Sequence, residues 1–239
     1  MDVLGDTITR ERRSDATALR APATGRSYDY RRFCTTAWKV GNFLRYLGVR
    51  AGVGVAIADD PLPEPVLSLY GAALLGGVVR FGPKTTVGDE TRALVVAVGR
   101  LDDYDVGPST KPVVYGDRPD DPSVSYFERD VWSENPTAPP DIVDCDEPCL
   151  TTDERTYSHA ELLDAATNVV ERWDLKTGDE VAVRGSFTHP GVVAAGLVAP
   201  LVAGAAVVLP DDDTVCQYAV GDGPEPSVDP DDVLSSIHD

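Results

Sequence analysis

A helix-and-strand pattern that occurs twice constrains this chain more than any other feature. From Tyr28 to Ile57 it reads "YDYRRFCTTAWKVGNFLRYLGVRAGVGVAI", and from Tyr157 to Val183 "YSHAELLDAATNVVERWDLKTGDEVAV". Aligned, Tyr28 stands opposite Tyr157, Phe33 opposite Leu162, Ala37 opposite Ala166 and Gly52 opposite Gly178, with Val55–Ile57 opposite Val181–Val183. Phe33, Ala37, Val40, Leu44 and Leu47 recur at spacings of three and four, as do Leu162, Ala166, Val169 and Trp173. Each stretch therefore predicts a helix with one apolar stripe, then a Gly turn and a short Val-rich strand.

After each strand comes a Pro-containing loop, a second apolar helix ("EPVLSLYGAALLGG" and "HPGVVAAGLVAPLVAGA") and another strand ("VVRFG" and "VVLP"). Strand, helix, strand is the crossover unit of a parallel sheet. The expected fold is α/β, with two related lobes of mainly parallel sheet flanked by helices. The division expected is a first lobe over residues 1–116, a Pro- and Asp-rich connector over 117–148, a second lobe over 149–210 and an acidic tail over 211–239. "TRALVVAVG" (Thr91 to Gly99) and "KPVVYG" (Lys111 to Gly116) read as further strands of the first lobe, and "VSYFERDVW" as a short ordered piece of the connector. The tail reads as a solvated, partly mobile terminus.

One run tests this reading. Val192 to Leu209, "VVAAGLVAPLVAGAAVVL", has no polar side chain and is long enough to cross a membrane. Gly196, Pro200 and Gly204 interrupt it, much of the rest is Ala, and it ends in a β-branched run. That order fits a buried helix, a Gly turn and a buried strand, so no membrane span is expected. "MDVLGDTITRERRSD" has no apolar core of the kind that precedes a cleavage site, so no signal peptide is expected and the chain is placed in the cytoplasm.

Acidic residues number 40 against 21 basic, for a net charge of −19, and only four of the basic residues are lysines. The acids are spread along the chain, which argues against a nucleic-acid mimic, and no basic stripe points to nucleic-acid binding. Even acidity with few lysines reads as adaptation to a salt-rich cytoplasm such as that of a halophilic archaeon. Cys34, Cys145, Cys149 and Cys216 lack the second pair or nearby histidines that zinc requires and are expected as reduced, partly buried thiols; no metal site is expected.

The segment "SYDYRRFCTTAWKVGNFLRYLGVRAGVGVAIADDPLPEPVLSLYGAALLGGVVRF" resembles the opening of the adenylate-forming enzymes, the AMP-dependent synthetases and ligases that include acyl-CoA and acetyl-CoA synthetases. The shared order is a "TY-x-E-L" helix, an "LGV-x-x-GD-x-VAI" turn and strand, and a "P-E-x-x-x-x-x-x-GA-x-x-x-GAV" helix and strand. "YSHAELLDAA" and "SFTHPGVVAAGLVAPLVAGAAVVLP" are similar to that family's "THRNLL" helix and its "P-L-F-H" to "VVL" stretch. The likeness runs over about residues 14 to 210. It implies the fold of the family's N-terminal region and an acyl or adenylate ligand.

The likeness fails at one place. There the family carries a T-S-G-[TS]-T-G-x-P-K-G loop whose backbone N–H groups and Lys cradle ATP phosphates. Here the position reads "CLTTDERTYSH", with no Gly or Lys between Leu150 and Tyr157 and with Asp153 and Glu154 in their stead. Thr151 and Thr152 are expected to open a tight hairpin turn. The family's later elements, including its Mg²⁺-binding Glu and C-terminal catalytic Lys, have no counterpart in these residues, and "TGD" at Thr177–Asp179 reads as an ordinary turn. The expectation is a truncated, catalytically inactive relative acting as a binding or assembly subunit of acyl metabolism, with a protein partner or as a homo-oligomer. The alternatives are a ligase completed by a partner chain and a small-molecule binding module. No cofactor is expected, ATP and Mg²⁺ entering only with such a partner.

Candidate site residues are few. His189 of "SFTHPG" matches the family's "P-L-F-H" histidine near the acyl pocket, and it is named with Ser186 and Phe187 as a cleft candidate, although a His before Pro also reads as a helix cap. His159 with Ser158 reads as a local capping pair. No catalytic residue is assigned, because three histidines build no Ser/His/Asp constellation. The charge reading has a direct check: the thermal unfolding midpoint should fall as KCl is lowered from molar to millimolar, and an unchanged midpoint would remove the salt-adaptation argument.

Overall fold

The computed structural model describes residues 1–223 and 225–235. After two short 3-10 turns, strands β1 (Thr17–Ala21) and β2 (Arg26–Asp29) form a hairpin that leads into helix α1 (Tyr30–Leu47). The Asp29 side chain caps α1 by accepting the Arg32 N–H at 2.6 Å, and Gly48 closes it in the left-handed conformation. Strand β3 (Gly54–Ile57), helix α2 (Pro63–Ala73) and strand β4 (Val78–Phe81) complete the first crossover. Pro63 sits at the first turn of α2, where its missing N–H costs no bond, and the helix is buried along its whole length, as a helix without a polar face must be.

Strands β5 (Thr86–Val87), β6 (Thr91–Ala97), β7 (Asp105–Val106) and β8 (Lys111–Tyr115) follow, then β9 (Ser125–Tyr126) and the single turn α3 (Phe127–Asp130). A second hairpin, β10 (Pro148–Thr151) and β11 (Thr156–Ser158), leads into helix α4 (His159–Trp173), which begins on a Ser158/Glu161 capping box. Strand β12 (Glu180–Val183) is followed by a helix in three parts: α5 (Pro190–Val192), a π-helical segment (Val193–Val198) and α6 (Ala199–Ala203). Pro200 explains the widening, since it has no N–H for the carbonyl one turn back and its ring crowds that carbonyl. Gly204 ends the helix at φ +78°, and β13 (Ala206–Val208) follows. The apolar run is thus a buried helix, a turn and a strand, and no helix among the described residues is long and apolar enough to cross a membrane.

Two sheets result. The first has the order β11-β10-β4-β3-β6-β8-β9 and the second β15-β14-β12-β13-β1-β2, where β14 is Tyr218–Val220 and β15 is Ser227–Val228. Each is parallel except for one antiparallel edge strand, β11 in the first and β2 in the second. The hairpins are exchanged. Strand β1, early in the chain, pairs with β13 of the second sheet, with Leu19 opposite Val207. Strand β10 pairs with β4 of the first, with Leu150 opposite Val79. The sheets therefore do not follow the sequence division into residues 1–116 and 149–210, because each lobe supplies the other with an edge.

The acidic tail also needs correction. Residues 218–220 and 227–228 add two strands, and α7 (Pro230–Ser235) follows. Arg184 holds this segment down with a forked ion pair to Glu225, at 2.7 and 3.1 Å, and with a bond to the Thr214 carbonyl. The Glu225 side chain is 1% exposed and that of Arg184 17%.

One apolar core joins the inner faces of both sheets to α1, α2, α4 and the helix over residues 190–203. A smaller cluster around Ala56, Leu94, Val96 and Val114 covers the far side of the first sheet. Helices α1 and α2 cross where a Cβ on Gly71 would lie 2.5 Å from Val40 Cγ1, so glycine sets their separation. Two buried tyrosines tie the halves. Tyr30 donates its hydroxyl to the Ala205 carbonyl at 2.7 Å, and Tyr70 donates to the Leu197 carbonyl inside the π segment at 2.8 Å. Burial pushes both phenols far above their ordinary pKa, so they act as fixed donors. Removing the second donor by Tyr70→Phe should lower stability by about 1–3 kcal/mol, since it orphans a buried carbonyl; denaturant unfolding in molar KCl measures this.

Candidate functional site

Parallel strands end on a common side, and the loops beyond their carboxyl ends are where open α/β sheets form crevices. Here the end of β4 (Arg80 to Gly82), the tip of the β10–β11 hairpin (Thr151 to Arg155) and the loop after β12 (Thr188 to Pro190) enclose a cleft of about 610 Å³. Gly82, at φ +60°, brings two of these walls together: a Cβ there would stand 2.5 Å from Thr188 Cγ2.

The hairpin is the short turn that two threonines and no glycine predict. Thr152 N–H donates to the Arg155 carbonyl at 2.9 Å, and the Thr152 hydroxyl oxygen accepts the N–H groups of Glu154 and Arg155, each at 3.2 Å. Two backbone donors at the lip of the cleft are thereby used within the turn. The Asp153 carboxylate lies 3.0 Å from Lys84 Nζ and 3.0 Å from Arg80 Nη1, while Arg80 Nη2 donates to the Thr152 carbonyl. Lys84, then Arg80, holds the Asp153 carboxyl below its ordinary pKa. Arg80 and Lys84 thus already face an internal anion, as does the third cation at this lip, Arg155, paired with Glu161.

Ser186, Phe187 and His189 lie on the loop after β12. Ser186 donates to Asp59 Oδ2 at 2.5 Å and lies 2.5 Å from the Thr188 hydroxyl, and the Phe187 N–H donates to Asp59 Oδ1 at 2.7 Å. One carboxylate from the loop after β3 thus fixes the loop after β12. Phe187 is buried edge-on against Phe81, with ring centroids 5.4 Å apart. His189 lines the cleft and caps α5: Nδ1 accepts the Gly191 N–H at 3.1 Å, which leaves Nε2–H to face Asp231 Oδ1 at 3.1 Å. Ser186 is engaged by Asp59 and His189 by Gly191 and Asp231, so these two form no nucleophile–base pair in this arrangement.

His159 departs from its expected role. Ser158 alone is the cap, and the His159 ring is fully buried, its Nδ1 accepting the Leu4 N–H at 3.2 Å. Nε2 must then carry the proton, and it has no hydrogen-bond partner. Burial lowers the pKa to about 4. All four cysteines are free; burial raises Cys34 and Cys216 to about 11 and Cys149 further. Asp144, Cys145 and Asp146 come within 4.8 Å of one another, but both carboxylates are exposed and nothing further completes a metal site there among the described residues. Sequence reasoning overlooked Asp59, Arg80 and Lys84. Arg80, the cation inside the apolar strand "VVRF", was the available signal.

No family model matches the sequence, and no curated protein matches it. The fold does have solved counterparts. The crystal structure of the anthranilate CoA ligase AuaEII in complex with anthranoyl-AMP superposes with a TM-score of 0.73 at 21% identity, over 86% of this chain and 44% of that one. The N-terminal domain of FACL13 from Mycobacterium tuberculosis gives 0.72 at 16% identity, over 87% and 57%. Apo MatB from Rhodopseudomonas palustris gives 0.66 at 14%, over 87% and 44%. The chain spans about half the length of these solved structures, and at such identities the likeness is one of fold.

The buried histidine yields a pH prediction. Its folded pKa, about 4, lies below the ordinary 6.5, so its contribution to stability is whole above pH 6.5 and is lost as the pH falls toward 4. The stability difference between wild type and His159→Gln should shrink by about 3 kcal/mol across that window. Paired denaturant titrations at several pH values measure it, and a pH-independent difference would refute the assignment. The fold is that of the N-terminal region of the adenylate-forming ligases, with a short acid-bearing hairpin at the lip of its cleft.

Proposed function

We propose that this chain is a non-catalytic relative of the AMP-dependent synthetases and ligases, serving acyl metabolism as a binding or assembly subunit whose cleft takes an acyl or adenylate group. The observation that carries the reading is the state of the β10–β11 turn. Its Glu154 and Arg155 N–H groups are bonded to Thr152, and Asp153 occupies Arg80 and Lys84. A triphosphate at this lip would meet a carboxylate where it needs donors, so the residues present do not fit ATP. Phe81, Tyr157 and Leu234 leave the cleft an apolar side that an acyl group would use.

The test is equilibrium binding of a non-hydrolysable acyl-adenylate analogue, ATP and the free acid in molar KCl, with pyrophosphate release assayed alongside. The expected outcome is binding of the analogue, no saturable binding of ATP and no pyrophosphate release. Pyrophosphate release with any carboxylic acid would sink the proposal. A second reading, a ligase completed by a partner chain, is favoured by the convergence of Arg80 and Lys84, which would face a phosphate if Asp153 withdrew. Under that reading Asp153→Asn gains ATP affinity; under the first it does not.

A further inference from the structure

A second cavity, also of about 610 Å³, lies between the N-terminal segment, α1, the end of α2 and the connector, and shares no lining residue with the cleft. Its walls are mainly apolar and include Val3, Ile8, Trp38, Leu74, Pro136 and Val143. Its size falls within the range of small-molecule sites, and such sites combine apolar walls with a few placed polar groups.

The placed group here is Arg13. Its guanidinium carbon lies 5.5 Å from the centre of the Trp38 ring, and its buried Nε has no hydrogen-bond partner. It makes no ion pair among the described residues, although the chain carries 40 acidic side chains against 21 basic ones. A buried guanidinium N–H without an acceptor is costly, and the acceptor geometry a guanidinium fork fits best is a carboxylate. Two carboxylates, Asp6 and Asp141, and a second cation, Arg10, also line the cavity. Asp6 accepts the N–H groups of Asp2 and Val3 at 2.7 and 3.2 Å, and Asp141 lies 2.9 Å from Arg45 Nε. They leave Arg13 unpaired while repelling any second negative charge on a ligand. The Trp38 indole N–H is likewise engaged, by the Ile8 carbonyl at 3.0 Å, so its ring serves as wall alone.

We infer that this cavity binds an amphiphilic monocarboxylate, its apolar body against Trp38 and Leu74 and its carboxylate on Arg13. Asp6 and Asp141 disfavour a second negative charge beside them, and neutral or cationic analogues lack the charge that Arg13 selects. The last point is discriminating, because a chain of net charge −19 attracts cations elsewhere on its surface.

The experiment is calorimetric titration with octanoate, octanol and octylammonium, supported by tryptophan fluorescence, which Trp38 reports from inside the cavity. Wild-type protein, Arg13→Gln and Val143→Trp are compared in the salt that keeps them folded, with circular dichroism as the check on folding. Wild type should bind octanoate at least tenfold more tightly than octanol or octylammonium. Arg13→Gln should abolish that preference, and Val143→Trp, which adds bulk to a lining position, should weaken octanoate at least tenfold. Absence of octanoate binding, a preference for octylammonium, or octanoate affinity undiminished in Val143→Trp would each overturn the inference. The last comparison stands even where Arg13→Gln fails to fold. Because the cleft also offers an acyl group an apolar side, the two variants, whose positions do not line the cleft, assign the octanoate binding to this cavity.

Discussion

Neither sheet is finished by the part of the chain that begins it. The hairpin ahead of α1 supplies β1 to the second sheet, and the hairpin ahead of α4 supplies β10 to the first. Residues of α1 thus pack against strands of both sheets, and the helices share one core with both inner faces. Separating the halves would strip an edge from each sheet and expose unpaired backbone groups along β4 and β13. The Tyr30 and Tyr70 hydroxyls add buried bonds across the same division, and Asp59 adds a third link at the rim through Ser186 and Phe187.

The exchange also explains the cleft. Because β10 is held beside β4, the turn that follows it is carried to the carboxyl end of the first sheet, next to Arg80 and opposite the loop after β12. A long glycine-rich loop at that position would offer free N–H groups to a ligand. A four-residue turn closed by Thr152 and charged by Asp153 offers its donors to itself and its carboxylate to the nearest cations. The turn sits between two paired strands, so its chemistry is set by its own residues.

Much of this architecture is readable from local pattern. The three-and-four spacing in α1 and α4, Pro63 at the start of α2, and Gly204 before β13 each act within a turn or two of the chain, and each appears where its local chemistry demands. So does the Thr152 turn. The errors came from contacts across the chain. His159 looks like a capping residue from its neighbour Ser158, but its ring is decided by Leu4. Residues after Asp211 look like a solvated tail by composition, yet Arg184 and the free edge of β12 recruit them. For Ser186 and His189 the sequence offers no partners, and only the fold places Asp59 beside the first and Asp231 beside the second.

By itself the sequence determined the two repeated helix-and-strand units, that their sheets are mainly parallel, and that the hairpin before α4 lacks the residues of a phosphate loop. These follow from periodicity and backbone preference, which act over a few neighbouring residues. Only the tertiary structure decided which sheet each hairpin joins, that Asp153 meets Arg80 and Lys84, and that Arg13, stacked on Trp38, forms no ion pair among the described residues beside an apolar cavity. Strand pairing and charge pairing depend on distance in space, and residues far apart in the chain acquire that proximity only when the two halves close around their common core.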